Sequence, residues 1–477
     1  MTDKSNTFSV SPALGGSLPG TGSNHQDPGE ATQRAITASP FGRMAMMGRL
    51  AGGIFGGMLS EGAKQLAQGQ RPSVNDLLLT PQNARRLAGR LSEMRGAAMK
   101  VGQLLSMDSG HLLPQEFSEV LARLRDDAHY MPLGQIGNIL NEAWGSGWQS
   151  QFERFFFNPI AAASIGQVHE ALLRDGRHLA VKIQYPGIRR SIDSDVDNVK
   201  RLLRLFNLLP QAMDFEPLLD EAKTQLHAEA DYETEMAAMN RYASHLADDQ
   251  RFEIPEVIES LTTTEVLTMT YLNGQPIEAL ADLPAEERNR VAASLMELAL
   301  REVFEWGLVQ TDPNFANYLY NTDTGRIQLL DFGATRSYSA TRREALRCLL
   351  GACVDSNDED IGRFATQVGY LGEYDALEYR NKVINLLRTV TEPCRDRGCY
   401  DFGRSDIAER MSNILIEMRL NNQYGEMPPP DILFLHRKLG GLYLLLSRLR
   451  AHIPVRRLIV GHPLFLVQNS ERYIAEE

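Results

Sequence analysis

The sequence predicts an α+β chain of two lobes, a small strand-rich lobe at 151–272 with a helical insertion and a larger, largely helical lobe at 273–477. A helical extension at 41–150 and a disordered leader at 1–40 precede them. Three observations lead there. His178 to Tyr185 (HLAVKIQY) alternates as a half-buried strand does, behind an Asp175-Gly176 turn signal. Long stretches to either side, Ile188 to Leu246 and Ser339 to Arg450, carry helical periodicity. Between these lies Gln310 to Gly333 (QTDPNFANYLYNTDTGRIQLLDFG), where two apolar runs flank the turn-rich Asn321 to Gly325 and read as a hairpin.

That hairpin sets Asn317 beside Asp331, and Asp312 lies just upstream. Phosphoryl transfer from ATP needs this inventory. One carboxylate orients the attacking hydroxyl or water, while an amide oxygen and a second carboxylate hold the magnesium ion (Mg2+) that neutralises the phosphates. Order and spacing match the catalytic and DFG loops of protein kinases, so the expected architecture is a two-lobed protein-kinase-like fold. A surface hairpin with incidental acids is the plainer alternative.

Composition narrows the choice. A chain of 477 residues can bury a large core, and a formal charge of -12 argues against a nucleic-acid surface. Phosphate must then be neutralised locally, by metal and one or two lysines. Cys348, Cys353, Cys394 and Cys399 form two C-x4-C pairs without the usual zinc spacing, and read as reduced structural thiols. Met1 to Pro40 lacks an apolar signal core, so a cytoplasmic address is expected, with peripheral contact at the inner membrane and a processed organellar origin left open. Phe41 to Leu66 repeats glycine at Gly48, Gly52 and Gly56, a bare helical face suited to docking on the chain itself or on a second copy in a homodimer; shallow membrane contact is the alternative.

In chain order, Lys100 and Gln103 fall three apart on a predicted helix and present a cation and an amide together. Ala161-Ala162-Ala163-Ser164 stands where a kinase carries its glycine-rich phosphate loop, and its methyl groups stiffen the backbone. In the strand that follows, Leu179, Val181 and Ile183 take one face while Ala180 and Lys182 take the other, as in the VAIK strand of kinases. A helix carboxylate should hold that lysine, and Glu235 is the choice, sharing a face with Asp231. Glu229 and Asp231 cannot share a face on one continuous helix, so either Glu229 has another job or the helix starts near Asp231 as its N-cap. Thr270, Tyr271 and Leu272 form the lobe connection whose backbone should meet the adenine edge. Pro284 to Trp306 reads as an amphipathic helix closed by Gly307, delivering the chain to Asp312.

Taken together these motifs resemble the UbiB family of atypical kinases (AarF-domain-containing proteins), in its coenzyme Q branch. The resemblance spans Gly42 to Phe465 and rests on KxGQ at Lys100 to Gln103, the AAAS loop, AVK at Ala180 to Lys182, ExDYxxE at Glu229 to Glu235, QTDPNxxN at Gln310 to Asn317, and DFG at Asp331 to Gly333. It implies that the KxGQ helices fold over the nucleotide cleft, with Lys100 and Gln103 reaching toward Glu229 and Asp231. Lys182 with Glu235 would form the ion pair, Asp312 would be the catalytic carboxylate, and Asn317 and Asp331 the metal ligands. The alanine loop is associated in the family with altered nucleotide preference and suppressed protein phosphorylation. The residues agree on the last point: Thr311 precedes Asp312 where regulated kinases place arginine, and no APE signature follows Gly333.

The expected function is therefore a Mg2+-dependent ATPase of atypical-kinase type that supports ubiquinone (coenzyme Q) biosynthesis without phosphorylating proteins. Expected partners are ATP, phenolic quinone precursors or anionic lipid, and other ubiquinone-biosynthesis proteins. A nucleotide-gated lipid-binding scaffold and a small-molecule or lipid kinase are the alternatives. Asp431 to Arg450 is strongly apolar but contains His436, Arg437, Lys438 and Arg448, and reads as a core or amphipathic helix rather than a membrane span.

Overall fold

The computed structural model describes residues 94, 96–98, 100–101, 130–163, 165–205, 216–420 and 428–461. The leader, the glycine-rich segment at 41–66, Gln103 and Ser164 lie outside them. Helix α1 (Leu133–Trp144) leads into strands β1 (Phe152–Phe155), β2 (Ala161–Ala162), β3 (Gly166–Leu173) and β4 (His178–Gln184). Helices α2 (Ile188–Leu205), α3 (Glu216–Glu229) and α4 (Tyr232–His245) follow, then β5 (Phe252–Glu253) and β6 (Val266–Thr270). The smaller lobe is an antiparallel sheet in the order β1-β3-β4-β6, with β2 also paired to β3.

Alternation along β4 decides what each face does. Leu179, Val181 and Ile183 are fully buried against Ile136 and Leu140 of α1 and against Trp148 and Phe152. Burial of each such side chain stabilises by roughly 1.5–3 kcal/mol. Trp148 packs edge-on to Phe155 at 5.2 Å, closing the outer layer. Lys182 necessarily points to the opposite face, toward the larger lobe. Gly166 opens β3 because a Cβ there would lie 2.3 Å from the Ile183 carbonyl oxygen. Between α3 and α4 the helix breaks, and Asp231 caps α4 by accepting from the backbone N–H groups of Glu233 and Thr234. Glu229 and Asp231 thus belong to two helices.

The larger lobe begins with β7 (Gln275–Pro276) and α5 (Ala285–Leu300). The expected helix to Trp306 is α-helical only to Leu300, and Arg301–Trp306 winds as a π-helix that buries Glu302 and Val303. Periodicity could not show this, because widening one turn re-aims side chains without changing the apolar pattern much. Gly307 ends it in the left-handed region at φ 61°. Strands β8 (Leu308–Gln310), β9 (Tyr318–Asn321), β10 (Arg326–Leu329) and β11 (Thr335–Ser337) carry the catalytic stretch. β9 and β10 form the expected antiparallel hairpin, and β5 pairs in parallel with β10.

Helices α6 (Ala340–Asp355), α7 (Asp358–Val368) and α8 (Leu377–Val390), strand β12 (Tyr400–Asp401), helices α9 (Ile407–Leu420) and α10 (Pro430–Arg448), strand β13 (His452–Ile453) and α11 (Val455–Val460) complete the chain. α10 runs through the core, burying Ile432, Phe434, Lys438, Gly441, Leu445 and Leu446. No helix among the described residues is long and apolar enough to cross a membrane. One core cluster joins the lobes, with Tyr232, Met239 and Tyr242 of α4, Leu267 and Met269 of β6, Phe332, and Leu442 and Leu445 of α10.

Two neighbouring glycines of α10 test how this helix is seated. A Cβ on Gly441 would lie 2.0 Å from the Pro313 side chain, whereas Gly440 has nothing within 4 Å. Gly441→Ala should destabilise by about 1–3 kcal/mol through overpacking. Gly440→Ala should stabilise by about 0.5–1 kcal/mol through helix propensity. Thermal melts of the two variants should therefore move in opposite directions.

Candidate nucleotide-binding and catalytic site

Lys182 leaves β4 on the cleft side and meets both carboxylate oxygens of Glu235 at 2.9 Å, and Asp331 Oδ2 at 3.4 Å. The Glu235 side chain is 1 % exposed and Asp331 is 35 % exposed, so the first is a closed anchor and the second faces open space. The Tyr232 ring lies 5.1 Å beneath the Lys182 ammonium. One cation thus faces two carboxylates, one closed in and one open to solvent. Burial pushes the Glu235 carboxyl up to about 7 against the pull of Lys182. Burial acts to raise Asp331 as well, but Lys182 and the Gly333 N–H outweigh it and hold Asp331 below the usual carboxylate range. Lys182 stays charged, since Asp331 and Glu235 raise its pKa despite burial.

The DFG turn is fitted to this anchor. A Cβ at Gly333 would lie 3.3 Å from Glu235 Oε2, and the Gly333 N–H donates to Asp331 Oδ1 at 2.9 Å. Phe332 is 2 % exposed and packs on Tyr242 of α4 at 4.8 Å. Thr311 is fully buried and donates its hydroxyl to the Ala334 carbonyl at 2.7 Å, tying the strand before Asp312 to the chain after DFG. The Leu330 N–H donates to the Asn317 carbonyl at 3.0 Å, which brings Asn317 and Asp331 together as the hairpin reading expects.

Asp312 accepts from Asn317 Nδ2 at 3.1 Å on one oxygen and is ion-paired to Arg437 of α10 on the other. Asn317 therefore keeps its side-chain oxygen as a potential ligand atom, on the residue whose carbonyl pairs with the residue before Asp331. Two hard oxygen donors fit Mg2+, which takes one or two protein carboxylates together with phosphate and water. Among the described residues no group of three His, Cys, Asp or Glu side chains could hold a metal ion.

Lys100, helical and 4 % exposed, is ion-paired to Glu229 at the end of α3. Asp231 is engaged elsewhere, capping α4 and accepting from Arg189 at 3.4 Å. In the alanine loop, Ala161 and Ala162 pair with Val168 and Gln167, and the Ala163 N–H donates to the Gly166 carbonyl at 2.9 Å, so the segment is a pinned hairpin. Ala180 is half-buried and packs against the core cluster that joins the lobes. At the connection the N–H groups of Thr270 and Tyr271 already donate to the Glu256 and His178 carbonyls, at 2.9 and 2.8 Å. Of the three residues expected at the adenine edge, two thus have their backbone donors committed, Tyr271 to the start of β4 and Thr270 to the segment at Glu256.

Sequence reasoning missed Tyr242, Glu302, Arg437 and Lys438. Lys438 is ion-paired to Glu302 at 2.9 Å with both side chains buried, and Tyr242 donates to Glu302 at 2.8 Å. The only available signal is a basic pair, Arg437 and Lys438, inside the apolar run of α10.

Glu235 gives the site a pH signature. Its folded pKa, about 7, lies above the ordinary 4.5, so its contribution to stability is present below about 4.5 and lost as pH rises through about 7. Glu235→Gln cannot titrate. Across that window the melting temperature of the parent protein should fall relative to the variant, and parallel curves would contradict the assignment.

Comparison with known proteins accords with this geometry. Residues 123–365, half of the chain, match the family described as ABC1 atypical kinase-like domain. "Atypical kinase COQ8, mitochondrial" of Saccharomyces cerevisiae is 35 % identical over 428 residues, covering 89 % of this chain and 85 % of that protein. "Atypical kinase COQ8B, mitochondrial" of Rattus norvegicus is 36 % identical, covering 89 % and 81 %. "Atypical kinase coq-8, mitochondrial" of Caenorhabditis elegans is 33 % identical over 89 % of this chain, and the match spans 57 % of the worm protein's length. Among solved structures, the complex of Rv3197 with erythromycin from Mycobacterium tuberculosis is similar with a TM-score of 0.55 and 25 % identity, over 80 % of this chain and 96 % of that one. The kinase-like fold and the family expected from the motifs are thereby borne out, and the chain belongs to the ABC1 atypical kinase-like family.

Proposed function

We propose that this protein binds ATP with Mg2+ in the cleft between its lobes and hydrolyses it, in support of coenzyme Q biosynthesis. The observation that carries the reading is the convergence of Asp312, Asn317 and Asp331 opposite the buried Lys182–Glu235 pair. Lys182 holds the phosphates and is itself held by Glu235. Asp312 orients the attacking water and accepts its proton as the new phosphorus–oxygen bond forms, while the bond from the γ-phosphorus to the bridging oxygen breaks and ADP leaves with that electron pair. Asn317 and Asp331 are the residues that would hold Mg2+, which would supply charge neutralisation on the phosphates. At the lobe connection Leu272 offers the adenine edge its backbone, since the N–H groups of Thr270 and Tyr271 are committed. The pinned alanine hairpin covers the phosphates less flexibly than a glycine loop does.

The names of the relatives support the pathway, and their mitochondrial designation suits a protein that works on lipid-soluble precursors at the inner membrane. Phenolic quinone precursors and anionic lipid are the activators this reading anticipates, and other ubiquinone-biosynthesis proteins the partners.

A second reading is favoured by the Lys100–Glu229 ion pair, which fastens the helical residues around Lys100 to the end of α3. There the protein is a nucleotide-gated scaffold, and nucleotide changes its shape without turnover. A lipid or small-molecule kinase would use Asp312 in the same way on a substrate hydroxyl, and would give a mass-shifted product as well as ADP.

Asp312→Asn should lower phosphate release by about a hundredfold or more while leaving ATP affinity unchanged. Unaltered turnover would remove Asp312 from the mechanism and favour the scaffold. Lys100→Ala should unfasten the cover, and amide exchange of β3 and β4 should then quicken. If their protection does not fall, Lys100 does not close the cleft.

A further inference from the structure

We infer that Arg437 of α10 is the positioning residue for Asp312, aiming its carboxylate before nucleotide arrives. This deepens the reading of Asp312 given above and rests on it. The two oxygens of Asp312 are held from two directions, Oδ1 by the Arg437 guanidinium and Oδ2 by Asn317 Nδ2 at 3.1 Å. Rotation about the carboxylate's own bond is thereby stopped. Each oxygen still keeps a lone pair with which to accept from water or a hydroxyl.

The arginine is delivered from far along the chain: between Gln310 and Gly333 the sequence offers only Arg326, which donates to Gln250 at 2.6 Å instead. Its delivery is rigid. Arg437 and Gly441 are four apart on α10 and share a face. Gly441 lies so close to Pro313, the residue after Asp312, that a Cβ would stand 2.0 Å from the proline. Between them Lys438 turns to the buried Glu302 at 2.9 Å and to the Tyr318 hydroxyl at 3.2 Å, which fixes the rotation of the helix. The Arg437 side chain is only 8 % exposed, in a helix whose other buried positions are mostly aliphatic. A leucine there would serve packing without the desolvation cost of a guanidinium. What a leucine cannot do is grip a carboxylate in one orientation, as a planar fork can.

The test compares Arg437→Met, Arg437→Lys and Asp312→Asn, alone and combined, for ATP turnover, KM, nucleotide affinity and melting temperature. Arg437→Met should lower kcat by roughly ten- to a hundredfold with KM and affinity little changed, as expected for a misaimed group. Arg437→Lys should recover part of it, restoring charge without the fork. On the residual rate of Asp312→Asn, Arg437→Met should cost nothing further. Added guanidinium should raise the turnover of Arg437→Ala. If Arg437→Met keeps its kcat while Asp312→Asn is inactive, the inference is overturned and the reading of Asp312 stands. Losses that multiply in full in the double variant would overturn it too, since they mark a role apart from Asp312. If Asp312→Asn itself retains turnover, the reading of Asp312 fails first. Should Arg437→Met not fold, Arg437→Lys carries the same comparison.

Discussion

The structure depends on one buried cation shared by two acids. Lys182 can be taken from water only because Glu235 meets it with both oxygens, and Asp331 adds a third contact from the far side of the cleft. The three residues come from a strand of one lobe, a helix of its insertion and the DFG turn of the other lobe. Their contacts therefore fix how three elements distant in the chain, already packed by a shared apolar core, meet at a common point. The asymmetry of the group gives it chemical use. Glu235 is closed in and reluctant to ionise, while Asp331 faces outward and stays charged, so the carboxylate available for a metal is the one that opens toward solvent.

Beneath this anchor lies a second polar network with the opposite character, sealed and structural. Tyr242 donates to Glu302, Glu302 is paired with Lys438, and Lys438 reaches the Tyr318 hydroxyl. Tyr242 also supports the ring of Phe332. The helix that supplies Glu235 is thus fastened at its other end to the segment that supplies Asn317. In such a frame a swing of α4 away from the cleft would leave a buried carboxylate and ammonium without partners, which is costly. Lys100, from the helical residues near the start of the described chain, is paired with Glu229 at the end of the preceding helix of the insertion, α3.

The main features of the site were legible because phosphate chemistry restricts residue type and spacing together. An acid, an amide and DFG at those separations, plus a lysine on the polar face of an alternating strand, leave few other uses. The Asp231 cap and the β9–β10 hairpin could be read for a similar reason, since capping and turn residues act within a few positions of themselves. The π-helix at Arg301–Trp306 was not legible, nor were the commitments of the Thr270 and Tyr271 amides. The first changes the winding of one turn without changing the apolar pattern much, and the second depends on partners distant in the chain.

By itself the sequence determined the fold class, the strand that bears Lys182, the hairpin that joins Asn317 to Asp331, and the family to which these motifs belong. Each follows from short-range rules: alternation, capping, turn chemistry and the spacing of donors around a metal. Only the tertiary structure decided which cation stands against Asp312 and which acid takes Lys100. Arg437 in the sequence is one charge in an apolar run, and its meaning appears when Gly441 lets α10 settle onto Pro313. The physical reason is that a salt bridge between distant residues leaves no periodic trace, since its geometry is set by how two surfaces pack and not by the order of residues in either.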